Sequence, residues 1–151
     1  MKKYYSVSGA LNKGFVGQIS YTICLDKEYT GMDIEFSFDK QRYTTITEEL
    51  KREIVAECKG EYGADNATDD EITSAVSGLK TEIHTIITMN DEFIGGVHRQ
   101  LTCRHMLYTP RETSEGCIPQ ESIQGVIKIT LVVFNVIQDD THYQLTLSVS
   151  E

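Results

Sequence analysis

Two segments near the start of the chain alternate strictly between apolar and polar residues. Gly17, Ile19, Tyr21, Ile23 and Leu25 fall on one side, and Gln18, Ser20, Thr22 and Cys24 on the other. Met32, Ile34, Phe36 and Phe38 then oppose Asp33, Glu35, Ser37 and Asp39. A period of two is the signature of a strand with one buried and one wet face. Such strands belong to antiparallel sheets, because parallel sheets are covered on both sides. Residues 3–8 repeat the pattern more weakly. "SGALNKGF" and "DKEYTG" supply turn residues between the three strands.

The period then changes. Ile46, Leu50, Ile54 and Cys58 recur every four residues, with Val55 beside them, as on the apolar stripe of a helix. Thr45 and Glu48 have capping-box spacing, and Gly60 and Gly63 supply the stop. Thr68 and Glu71 form a second capping box. Ile72, Val76, Leu79, Ile83 and Ile86 continue from it at helical spacing, which predicts one helix from Asp69 to Met89. The β-branched run from Thr81 to Thr88 supports a different outcome, a helix ending near Lys80 and then a hairpin turning at Asn90-Asp91. The unbroken apolar spacing through Gly78 favours the long helix.

One strand is expected from Val97 to Tyr108, an apolar and central one from Val126 to Gln138, and a closing one over 141–150. The order is βββ-αα-βββ. The expected architecture is a single α+β domain over residues 1–151. In it, a six-stranded, largely antiparallel sheet carries both helices on one face. Strands 3–8 and 141–150 are placed at the sheet edges, where exposed backbone invites pairing into a homo-oligomer.

Charge narrows the function. Asp and Glu number 23 against 14 Lys and Arg, a formal net charge of −9. Phosphate backbones are bound by basic patches, so a general nucleic-acid-binding surface is not expected. After Met1-Lys2-Lys3 no apolar core follows, and the most apolar run, Ile129–Ile137, is too short to span a bilayer. A cytoplasmic protein without a membrane segment is expected. Cys24, Cys58, Cys103 and Cys117 have no paired spacing and read as free thiols.

Against this acidic background, "GGVHRQLTCRHMLYTPR" (Gly95 to Arg111) holds three of the five arginines, two of the four histidines and no acid. On a regular strand His98, Gln100, Thr102 and Arg104 share one face. Val97, Arg99, Leu101, Cys103, His105 and Leu107 share the other. Arg104 would then reach across to Asp33, Glu35 or Asp39. Arg99 and His105, in an apolar row, must snorkel, pair with an acid, or receive an anion. The arginine fork suits phosphate and carboxylate groups, Tyr108 offers a stacking face, and Gly95-Gly96 leave room near the backbone. The candidate ligand-binding residues are Arg99, Arg104, His98, His105, Arg111 and Tyr108.

No phosphate loop, HExxH, GxSxG or CxxC is present, and no catalytic residue is assigned. Cys103 and His105 share a strand face, but His98 would point away. Neither zinc nor any other metal or cofactor is expected. "GADNATDDE" lacks the ligand order of a calcium loop and reads as helix capping. Two functions remain. One is a non-catalytic protein that captures a small anionic ligand, such as a nucleotide or phosphorylated metabolite. The other is an acidic inhibitor or immunity-type protein that covers a basic partner surface.

Overall fold

A computed structural model describes residues 1–60, 64–99 and 101–151. The expectations for Gly63 and Gln100 lie outside them. Eight strands and two helices follow in the order β1 (Lys2–Leu11), β2 (Gly17–Cys24), β3 (Gly31–Phe38), α1 (Glu48–Glu57), α2 (Asp69–Gly78), β4 (Glu82–Met89), β5 (Glu92–Val97), β6 (Cys103–Tyr108), β7 (Val126–Asn135) and β8 (Thr141–Ser150). They form two four-stranded antiparallel sheets, ordered β1-β8-β3-β6 and β2-β7-β4-β5. The expected single six-stranded sheet with helices on one face is therefore wrong.

The physical reason lies in what covers the apolar faces. Met32, Ile34, Phe36, Leu145 and Leu147 from the first sheet join Ile83, Ile87, Ile127, Ile129 and Leu131 from the second in one core. Sheet covers sheet, as in a sandwich. The helices are not needed for that role. A helix layered on a sheet would bury a whole stripe, yet only Lys51 of α1 and Val76 of α2 are buried. The helices meet each other instead, with Lys51 Nζ held by Glu48 at 2.6 Å and Asp69 at 2.8 Å.

The long second helix is also overturned. It stops at Gly78, and Leu79 is already extended, with ψ 141°. From Thr81 onward the β-branched residues prevail. Thr81, Ile83, Thr85 and Ile87 are buried in alternation, a period of two that the helical spacing had masked. Asn90 and Asp91, at φ 51° and 67°, close the β4–β5 hairpin with the positive φ pair of a type I′ turn. The capping box at Thr68 and Glu71 is formed in both directions. For α1 the cap is Thr47, two residues after the expected Thr45.

The single strand over 97–108 is in fact two. β5 ends at Val97 in one sheet, and β6 starts at Cys103 in the other. The chain passes from one sheet to the other between Val97 and Cys103. Beyond β6, the loop over 109–125 ties the two edges together. Ser114 N donates to Leu107 O on β6, while Gly96 N donates to Gly116 O and Ile118 N to Ile94 O along β5. β1 lies at an edge as expected, but β8 is interior, between β1 and β3. All four cysteines are free. Among the described residues no helix is long and apolar enough to cross a membrane.

Candidate functional site

The end of β5, His98, Arg99 and Leu101 beyond it, the first residues of β6 and the loop over 112–116 line a half-open hollow with a volume of about 540 Å³. Four of the six expected site residues line it: His98, Arg99, Arg104 and His105. Arg111 and Tyr108 do not. Arg111 stands exposed on the loop, and Tyr108 is 1% exposed in the core, where its hydroxyl donates to Ile94 O at 3.2 Å. Tyr108 thus offers no stacking face. Nor does Gly95 leave ligand space. A Cβ there would collide with the Tyr108 hydroxyl and come within 2.9 Å of Cys117 Sγ, so the glycine makes room for those two side chains.

The break after Val97 resets the phase of alternation. On β6, Arg104, Met106 and Tyr108 point inward, whereas Cys103 and His105 point out. β3 and β6 do pair, with Phe36 opposite Arg104. Because Arg104 faces the core, it does not meet Asp33, Glu35 or Asp39. It is 3% exposed, and its guanidinium lies over the Phe36 ring, 5.2 Å from the centroid. It donates to Ile83 O at 2.8 Å, Leu101 O at 2.9 Å and Val97 O at 3.4 Å. Among the described residues its Nε has no hydrogen-bond partner and no carboxylate pairs with it. Burial lowers its pKa from 12.5 to about 10, so it remains a cation at neutral pH.

The other three side chains have partners at the surface. Arg99 pairs with Glu115, and both are well exposed, with 65% and 80% of their side chains in solvent. Such a pair contributes about 0–1 kcal/mol and exchanges readily for another anion. His98 Nδ1 meets His84 Nδ1 at 3.4 Å, and His84 Nε2 meets Glu82 at 2.9 Å. The Phe134 ring packs against His84, centroid to centroid 4.6 Å. His105 Nδ1 lies 2.9 Å from Asp33 Oδ2, on the outer face of the first sheet.

Several residues of the site gave no signal in the sequence. Glu112, Ser114 and Glu115 reach the hollow only because the loop over 109–125 folds back on both edges. Glu35 comes opposite His105 through the β3–β6 register. One donor atom each from Glu35, Cys103 and His105 lies within 4.8 Å of the other two. Cys117 does not join them. It sits beside Tyr108, and burial pushes its thiol pKa up.

Comparison of the chain with curated proteins and with solved structures finds no match. The model of a family of unknown function, DUF6669, matches residues 1–151, and the chain belongs to that family.

Proposed function

We propose that this chain is a non-catalytic binding protein that takes a small anionic ligand, such as a nucleotide or phosphorylated metabolite, into the hollow at the β5–β6 crossover. The observation that carries this is Arg104, a buried cation without a carboxylate partner among the described residues, which lines that hollow. A buried charge is costly unless it is neutralised, and an anion in the hollow would neutralise it. Arg99 is held only by an exposed ion pair, so its fork is free to exchange Glu115 for a phosphate group. His98 adds a third donor on the same rim. The net charge of −9 repels anions at long range, so capture depends on these close contacts.

The experiment is a thermal-shift titration with inorganic phosphate, nucleotides and sugar phosphates. At a ligand concentration of 100 Kd, linkage stabilises the native state by about 2.7 kcal/mol. For a chain of this length that is a rise of about 5–10 °C. Arg99→Ala should remove most of the shift. If none of these anions raises the melting temperature, the proposal fails.

A further inference from the structure

We propose that the outer face of the first sheet carries a zinc site made by Glu35, Cys103 and His105, with Asp33 as the positioning residue for the imidazole. The three side chains converge because of strand register. Glu35 is opposite His105, Ser37 is opposite Cys103, and both β6 residues point to solvent. Their donor atoms already lie within 4.8 Å of one another. Ligand atoms around a tetrahedral zinc, bonded at about 2.0–2.3 Å, stand about 3.5 Å apart. Rotamer adjustments on the order of 1 Å at an exposed face close that difference, with no movement of the backbone.

The donor set selects the metal. A thiolate, an imidazole and a carboxylate suit borderline-soft Zn²⁺, whereas Ca²⁺ and Mg²⁺ require oxygen ligands throughout. Asp33 is the second observation. Its Oδ2 accepts from Nδ1 of His105 at 2.9 Å, which fixes the tautomer and leaves Nε2 as the nitrogen with a free lone pair. A carboxylate behind a histidine is the usual arrangement at zinc sites, and it raises the basicity of the ligand. The overall charge of −9 draws a divalent cation toward the surface. Three protein ligands leave one coordination position open to solvent. Cys103 and His105 also line the rim of the hollow, but zinc binding requires no anion there and is tested with the metal alone.

The test begins with metal-stripped wild-type protein titrated with Zn²⁺ by calorimetry, with Co²⁺ as a spectroscopic substitute. The expected result is one Zn²⁺ per chain and a thiolate-to-cobalt charge-transfer band. The wild-type chain carries its own control, because Cys24 and Cys103 are both exposed. Zn²⁺ should slow alkylation of Cys103 by iodoacetamide at least about tenfold, since only free thiolate reacts, and leave Cys24 unchanged. Cys103→Ser should remove the cobalt band, and Cys24→Ser should retain it. Asp33→Asn should weaken Zn²⁺ binding roughly 10–100-fold while the cobalt band persists at saturating metal. Absence of stoichiometric Zn²⁺ binding overturns the proposal. So does equal protection of Cys24 and Cys103, or full affinity in Cys103→Ser.

Discussion

Replacing Arg104 by alanine tests whether its guanidinium is the clamp that joins the two sheets at the crossover. Two short hydrogen bonds are lost, to Ile83 O and Leu101 O, at 2.8 and 2.9 Å. Bonds from a charged donor contribute about 1.5–3 kcal/mol each. Removal of the alkyl stem loses packing worth about 2 kcal/mol for the methylenes beyond Cβ. Against this, the cation is no longer buried. A fall in pKa from 12.5 to about 10 corresponds to a burial penalty of roughly 3 kcal/mol, which the variant escapes. The net expectation is a destabilisation of about 2–5 kcal/mol. At about 3 kcal/mol the melting temperature falls by about 6–12 °C. Arg104→Met restores most of the stem without the charge and should recover about 2 kcal/mol of the loss. Urea unfolding followed by circular dichroism measures both variants, with unchanged m-values confirming that the folded states remain comparable. A loss below about 0.5 kcal/mol for Arg104→Ala would refute the clamp. A methionine variant no better than the alanine one would show that the stem contributes nothing.

Asp91→Gly should stabilise the protein by about 0.5–1 kcal/mol, because Asp91 holds φ 67° in a type I′ turn that glycine adopts freely; a lower melting temperature would contradict that turn assignment. The Tyr29 hydroxyl donates to Asp26 Oδ1 at 2.8 Å, and this bond to an anion, with burial, raises the tyrosine pKa from 10.0 to about 12. Because the folded value lies above the ordinary one, the associated stability is complete below pH 10 and declines as pH rises toward 12. Tyr29→Phe should flatten that decline in denaturation curves taken across the same range.

Strands with one buried face were legible because alternation declares itself within a few residues. Residues 17–24, 31–38, 126–135 and 141–150 all lie in strands. The partition into two sheets was not legible, since a period of two states which face is buried and not which sheet the strand joins. The β4 segment misled because Leu79, Ile83 and Ile86 fit a helical stripe, while the buried alternation of Thr81, Ile83, Thr85 and Ile87 uses threonine as a core residue. At the candidate site, the segment from His98 to His105 was visible through its charge. Its geometry was not, because the break after Val97 turns Arg104 and Tyr108 inward and sends Cys103 and His105 out. Glu35 was expected across from Arg104, whereas it stands opposite His105. Its place beside His105 depends on a register between segments that the whole helical excursion separates.

The strand order has a kinetic consequence. Among the described residues, β4 and β5 are the only consecutive strands that are neighbours in one sheet, and β1 pairs with β8 from the far end of the chain. Neither layer can assemble from a contiguous stretch, so no early-emerging fragment on the ribosome has a finished half to close upon. Folding should nucleate at the β4–β5 hairpin and then wait for distant partners, on the millisecond-to-second scale of non-local β topologies. In that interval the apolar β7, with three valines and two isoleucines, is unshielded, and the acidic charge of the chain keeps nascent copies apart.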